Sequence, residues 1–249
     1  MLTEERKRLI LAEVNEKKSV TVADLMNLLG VSESTARRDI VTLSREGRLV
    51  KVHGGAVALE NPPTPEELSI RAKETINKDE KLRIAEYAAS LIEPGDYVYI
   101  DSGTTTEYMV GFLTEKRAIY VTNAISHARN LVRRHFKAFL IGGEVKENTD
   151  TVVGADAILH IQKYHFNKGF FGTNGVNMKL GYTTPDVREA LIKRVAIENT
   201  QPGSRYILAD HDKFGQSSSV TFAEFSGTMI ITNKYPGDSY SHAADIKVV

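Results

Sequence analysis

The chain is predicted to fold as an N-terminal winged helix-turn-helix domain joined to a larger α/β domain with a mostly parallel sheet. Three observations predict this. The first 59 residues carry helical apolar periodicity and end in two short β-type runs around Gly54-Gly55. The stretch "ENPPTPEE", 60–67, holds three prolines in four residues, which forbids helix and favours a stiff extended segment. Beyond it, short apolar strands alternate with helical stretches, the pattern of a parallel sheet covered on both faces. The expected division is 1–59 for the first domain, 60–76 for a linker and 77–249 for the second domain.

In the first domain, Leu9, Ile10 and Val14 mark one amphipathic helix. Thr21 can cap a second, "TVADLMNLLG", closed by Gly30. Ser32 can cap a third, "VSESTARRDIVTLSREG", stopped by Gly47. The helix-turn-helix thus spans about 21–46, and "RLVKVHGGAVAL" follows as a hairpin. In the second domain a helix is expected over 77–92, ended by Pro94-Gly95. Strands are expected at 97–100, 118–122, 138–143, 168–172, 205–210 and 228–233.

Composition excludes several classes. There is no cysteine, so disulfides, thiolate chemistry and cysteine-based zinc sites are out together. No run of 18 apolar residues is present, which argues against a membrane helix. "MLTEERKRLILAEV" is charged from its first turn and lacks the apolar stretch of a signal peptide, so a cytoplasmic protein is expected. Net charge is zero. Up to Leu59 ten basic residues face eight acidic ones, an excess that permits nucleic-acid binding without arguing for it.

The third helix carries the stronger signal. On a 3.6-residue wheel Ala36, Ile40 and Leu43 share the core face, while Ser34, Arg38 and Arg45 lie opposite with Thr35 and Arg37 on the flanks. Arginine pairs bidentately with guanine or phosphate, and hydroxyls take either role. Candidate contacts to double-stranded DNA are Thr21, Ser32, Ser34, Thr35, Arg37 and Arg38, with Arg48, Lys51 and His53 of the hairpin available to phosphates. The bland alternative is a solvated helix beside a partner helix, and His53 taken singly is an ordinary surface residue.

"VSESTARRDIVTLSREGRLVKVHGGA" resembles the signature of DeoR-type winged-helix repressors. The second domain agrees in order: "NKDEKLRIAEYAASLIEPGDYVYIDSGTTT", "VTNAISHARNL", "LIGGEV", "VVGADA", "GTNGVN" and "LADHDKFG". The resemblance covers nearly the whole chain. It implies a bacterial transcription regulator, a homodimer or homotetramer on operator DNA, whose second domain senses a phosphorylated sugar. The N-terminal segment and "LADHDKFG" look most like repressors of sugar phosphotransferase operons, which makes fructose 1-phosphate the first effector expected and tagatose 6-phosphate the second.

The residues themselves point to an anion site. Parallel sheets bind ligands beyond the carboxyl ends of their strands. Asp101, Ser102, Gly103, Thr104, Thr105 and Thr106 stand at such an end and open a helix, where N–H groups, hydroxyls and the helix dipole favour an anion. Neither GxxxxGK[ST] nor GxGxxG is present, so a nucleotide is not indicated and a smaller phosphate ester is. The competing reading is a capped βα turn. Asn123, Gly142, Gly143, Asn174 and Asp210 follow other strands, with Lys213 three residues beyond Asp210. Lys193, in "VREALIKRVAIEN", would by itself be a solvated charge; the sheet-edge context and its match to a family position add it to the effector set.

The second domain also resembles ribose-5-phosphate isomerase, whose enzymes add a carboxylate base and a lysine to a similar phosphate loop. Where an acidic residue would follow the strand "GFFGTNGVN", this chain has Asn174 and Asn177, and an amide cannot take a proton at neutral pH. Asp101 and Asp210 remain as replacements, so a sugar-phosphate isomerase carrying a DNA-binding domain is the alternative. No catalytic residue, metal or cofactor is expected.

Overall fold

The computed structural model describes residues 3–17, 19–45, 48–52, 54–57 and 74–249. The chain separates into two compact units, Met1–Glu66 and Glu67–Val249. The expected linker, 60–76, lies almost wholly outside the described residues, as do the expected stop at Gly47 and the candidate contact His53.

The first unit contains α1 (Thr3–Lys17), β1 (Ser19–Thr21), α2 (Val22–Leu29), α3 (Glu33–Arg45), β2 (Val50–Val52) and β3 (Gly55–Val57). Thr21 and Asp24 form a reciprocal capping box at the start of α2, and Gly30 ends it at φ 63°. Only glycine and a few polar residues adopt that left-handed conformation cheaply, so the tight turn into α3 follows from Gly30. Ile10, Leu25, Ala36, Ile40 and Leu43 form the core with Leu49 and Ala56, as the wheel for α3 requires. Arg6 of α1 donates to the buried carboxylate of Asp39 at 2.8 Å, fixing α1 against α3. The expected hairpin is β2–β3, and β1 adds a third antiparallel strand in the order β1-β3-β2.

The second unit begins with α4 (Lys78–Ser90), β4 (Tyr97–Ile100), α5 (Thr104–Phe112), β5 (Ile119–Thr122), α6 (Ile125–Arg133) and β6 (Lys137–Leu140). A ribbon of β7 (Glu144–Lys146) and β8 (Thr151–Val153) follows, then α7 (Ala155–Ile161) and β9 (Lys168–Gly172). The rest comprises β10 (Gly175–Asn177), β11 (Gly181–Thr184), α8 (Val187–Glu198), β12 (Arg205–Leu208), β13 (Val220–Ala223), β14 (Thr228–Thr232), α9 (Asp238–Ser241) and β15 (Asp245–Val248). The six expected strands all form. The third and fifth are shorter than expected, so Gly142-Gly143 and Asp210 lie beyond the strand ends. Strand β15 and the antiparallel sheet β10-β11-β13 are additions.

The main sheet is seven-stranded and parallel throughout, in the order β15-β14-β12-β9-β4-β5-β6. The chain winds from β4 through β5 to β6, then returns to the other side of β4 with β9 and continues to β15. The crevice at the carboxyl ends of β4 and β9 is therefore the topological switch point, where open α/β sheets hold ligands. Successive side chains of β4 point to opposite faces. Val98 and Ile100 pack with Ile84, Ala85, Met109 and Leu131 of α4, α5 and α6. Tyr99 packs on the other side with Ile161 of α7 and Ile192 and Ala196 of α8. Among the described residues no helix is long and apolar enough to cross a membrane.

Candidate functional site

In the first unit, the start of α3 gathers hydroxyls. Ser32 Oγ lies 3.0 Å from both Ser34 Oγ and Thr35 Oγ1. Ser34, Arg37 and Arg38 are exposed, with Thr35 partly covered. Arg37 pairs with Glu33 one turn back, whereas no described residue pairs with Arg38. Arg48 and Lys51 are exposed at the hairpin. Thr21 is different: its hydroxyl accepts from Asp24 N at 3.1 Å and donates to Asp24 Oδ2 at 2.7 Å, so its first task is to cap α2.

In the second unit, the switch point is occupied by the loop after β4. Asp101 is fully buried. Its Oδ2 accepts from Gly172 N at 3.1 Å, across the crevice at the end of β9, and from the ammonium of Lys193 on α8. Lys193 also donates to Gly172 O at 3.1 Å and is itself buried. Burial pushes the Asp101 carboxyl above the ordinary range, and Lys193 pulls the other way.

Gly103 precedes α5 at φ 142°, a conformation that L side chains rarely adopt. This lets Thr104, Thr105 and Thr106 start the helix with their N–H groups at the strand end. Thr106 Oγ1 donates to Gly103 O at 2.8 Å and lies 3.1 Å from His127 Nε2. No described residue takes the hydroxyls of Thr104 or Thr105, which leaves them available to a ligand. Asn123, at the end of β5, accepts from Ser102 N at 3.1 Å and holds the loop from the other flank. Free N–H groups, two uncommitted hydroxyls and a helix N-terminus make an anion cradle.

Asp101, Ser102, Gly103, Thr104, Thr105, Thr106, Asn123 and Lys193 are thus brought together. The other expected residues lie along the same carboxyl edge of the sheet, and Gly142, Asn174 and Asp210 have protein partners there. Gly142 N donates to His160 Nδ1 at 2.8 Å. A Cβ on Gly143 would meet Val153 O at 2.7 Å and Ala157 Cβ at 2.9 Å, so close packing accounts for this glycine. Asn174 accepts from Thr184 at 3.3 Å, and Asn177 caps the β10–β11 turn through Lys179 N. Asp210 is buried and accepts from Asp212 N and from Asn77, both at 3.2 Å; Lys213 sits at intermediate exposure in the same short turn.

Three supporting groups were not foreseen. His127 is buried, and burial drives its pKa down to about 3, so the ring is neutral and acts as a fixed hydrogen-bonding prop for Thr106. Glu189, one turn before Lys193 on α8, accepts from Lys146 at 2.9 Å and from Thr149 at 2.8 Å. Asp186 caps α8; burial opposes its ionisation, but Arg188 and Lys146 together hold it below the usual carboxylate range. These contacts fix the helix that supplies Lys193. Only the i,i+4 spacing of Glu189 and Lys193 hinted at them in the sequence.

Residues 6–61 match the DeoR-like helix-turn-helix domain, and residues 76–234 match the DeoR C terminal sensor domain. An uncharacterised HTH-type transcriptional regulator of Bacillus subtilis (strain 168), FruR, is 41% identical over 100% of this chain and 99% of its own. The lactose phosphotransferase system repressor of Staphylococcus aureus (strain NCTC 8325 / PS 47) is 33% identical over 89% of this chain and 88% of its own. Among solved structures, ribose 5-phosphate isomerase A of Methanocaldococcus jannaschii aligns at a TM-score of 0.40, with 13% identity over 55% of each chain, a likeness too distant to carry any argument. With both profiles matched in this order and a relative similar from end to end, the chain belongs to the DeoR family of transcriptional regulators.

Proposed function

We infer that the protein is a cytoplasmic repressor of a sugar-utilisation operon, released from its operator by a phosphorylated sugar. The observation that carries this reading is the loop after β4: a glycine at positive φ, two uncommitted buried threonines and a helix start, placed at the switch point of a parallel sheet. Such a site takes a phosphate. The DNA-reading half is α3, with Ser34, Arg37 and Arg38 at its exposed start. As a homodimer or homotetramer the protein would set two such helices in major grooves one helical turn, or a multiple, apart. A ligand that favours the wrong spacing by about 1–3 kcal/mol changes operator occupancy many-fold.

Fructose 1-phosphate is the first effector to try and tagatose 6-phosphate the second; the lactose phosphotransferase repressor and FruR among the relatives support that order of trial. The test is a gel-shift titration of the full chain on its own promoter fragment. Release by a phosphorylated sugar, and not by the unphosphorylated sugar or inorganic phosphate, is the expected result. Operator affinity unaltered by every phosphorylated sugar overturns the reading.

One observation favours an isomerase as the second reading. A buried carboxylate with a raised pKa beside a lysine, as at Asp101 and Lys193, is the kind of group that transfers protons. Against it, Asp101 Oδ2 is committed to Lys193 and Gly172, and Asn174 and Asn177 are amides engaged in turns. Incubation with aldose and ketose phosphates, followed by chromatography of the sugars, separates the two: interconversion at a catalytic rate would sink the receptor-only reading.

A further inference from the structure

The main sheet has two edges, and they differ in character. At one edge β15, "DIKV", presents Asp245 and Lys247 to solvent. Charges of that kind keep an exposed strand from pairing with another chain. At the other edge β6, "KAFL", carries Lys137 at its start and then exposes two consecutive apolar residues, Phe139 and Leu140, each at 40%. Successive side chains point to opposite faces, so this edge is apolar on both. The neighbouring helices agree. α6, which packs on β6, exposes Val132 at 60%. α7, whose His160 accepts from Gly142 N just past the strand, exposes Leu159 at 60%.

The backbone of β6 is half used. Among the described strands β5 is its one partner, in parallel register. Ile141 N donates to Thr122 O at 3.0 Å. Backbone groups alternate sides along a strand, so those of Phe139 and Ile141 face β5, and those of Ala138 and Leu140 face outward. Water can hydrogen-bond the outward groups, but it leaves the apolar side chains uncovered; an added strand answers both. A strand turned onto itself by a two-fold axis is its own complement, and the contact closes after two copies. Antiparallel pairing centred on Phe139 sets Ala138 opposite the second copy's Leu140, and every outward N–H and C=O of these two residues finds a partner. The two Phe139 side chains then meet at a non-hydrogen-bonded position, with Cα atoms about 4.5 Å apart. Aromatic pairs placed so stabilise a sheet. Charge agrees: the exposed basic approach to β6, Arg133 and Lys137, comes beside the second copy's exposed exit toward Glu144.

Resting on the reading that the protein works as a homodimer or homotetramer, we propose that β6 is a two-fold interface between copies. It pairs antiparallel with the same strand of a second copy, so that one sheet runs through both. Helix-turn-helix domains read paired half-sites as two-fold dimers, so a self-complementary surface is what this chain needs. β6 supplies one outside the DNA-reading unit. Pairing β6 with β15 of the next copy would instead run head to tail and stay open-ended, and Asp245 and Lys247 stand against it.

The chain has no cysteine, so one introduced cysteine is a clean probe. In the full chain Phe139→Cys should cross-link into a covalent dimer on mild oxidation, because the expected Cα separation lies within the disulfide range of about 4.4–6.8 Å. Val248→Cys, on the other edge and 43% exposed in wild type, is the control. Cross-linking at 139 should be about tenfold faster or more, since the control pair is not held within that range. Light scattering gives the second readout. Phe139→Lys sets like charges opposite each other at the two-fold and should halve the mass of wild type, dimer to monomer or tetramer to dimer, with circular dichroism unchanged. If wild type is oligomeric and Phe139→Lys keeps its mass, the β6 interface is overturned while the homo-oligomer stands. A wild type that stays monomeric overturns both. Mass that climbs without limit with concentration means head-to-tail growth and overturns the two-fold interface. Should Phe139→Lys not fold, the cysteine rates decide: equal rates at 139 and 248 overturn the interface, and a rate confined to 139 supports it.

Discussion

Replacing Lys193 with methionine keeps most of the side chain's length and apolar volume but removes the ammonium. Asp101 is then left fully buried, with Gly172 N as the remaining described partner of Oδ2. Removing one member of a buried pair costs about 3–5 kcal/mol, because the other charge is stranded. That is a large share of the roughly 5–15 kcal/mol that holds a typical domain together. All ten tyrosines lie after residue 66 and there is no tryptophan, so tyrosine emission follows the second unit alone. In a urea titration at pH 7 the midpoint should fall by about 2 M, for a slope near 2 kcal/mol per M. The pH dependence gives the mechanism. Burial raises the Asp101 carboxyl and Lys193 opposes that rise, so without the lysine the folded-state pKa climbs further above the unfolded value near 3.8. Between those two values the native state of the variant holds a proton that the unfolded chain has released. The variant's deficit should therefore shrink as pH falls through the raised pKa toward the unfolded value. His127 charges alike in both proteins and cancels in the comparison. Asp101→Asn combined with Lys193→Met should recover most of the loss. A midpoint shift below about 0.5 M, or a deficit that does not shrink on acidification, would refute the account of a stranded carboxylate.

Arg38→Ala should abolish or strongly weaken operator binding while leaving the sugar-phosphate response of tyrosine emission intact, and should lower the slope of log affinity against log salt by about one if the contact is to phosphate; unaltered affinity removes Arg38 from the reading set. Thr105→Ala and Thr106→Ala should part company: the first blunts release from DNA with little change in stability, whereas the second, which loses the bonds to Gly103 O and His127, lowers the melting temperature too. Equal thermal effects from the two would show that Thr105 also serves the loop. For His127, a folded pKa of about 3 lies below the ordinary 6.5, so the unfolded chain binds the extra proton and stability falls as pH drops through that interval. At pH 5 the loss from this residue is about 2 kcal/mol, and a His127→Gln variant compared by urea titration at pH 7 and 5 should escape it.

The sheet was legible because its strands are apolar on both faces. "YVYI", "KGFFG" and "TMIIT" bury nearly every residue, and a run of four or five such residues between helical stretches leaves little else to form. Strand β15 was not, for the opposite reason. It is an edge strand, and "DIKV" presents Asp245, Lys247 and Val248 to solvent, so nothing in its pattern separates it from a loop. Strands β10 and β11 form a short hairpin of three or four residues each, and β13 joins β11 from about 40 residues on with a register shift between Tyr182 and Thr183, a partner that no local window contains. The turn at Gly30 was readable because a left-handed residue after an apolar helix leaves one residue type as the cheap choice.

The site divides along the same line. The threonine loop could be read locally, since strand end, glycine and helix start are contiguous in sequence. Lys193 could not be. Its family position placed it at the site, but as a charge facing a ligand; that it spends its charge on a carboxylate 92 residues away depends on α8 crossing the switch point. This changes what the ligand has to do. A cation already neutralised by Asp101 attracts a phosphate far less than a free one, so the helix start and threonine hydroxyls must carry the anion while the Asp101–Lys193 pair sets the shape of the crevice.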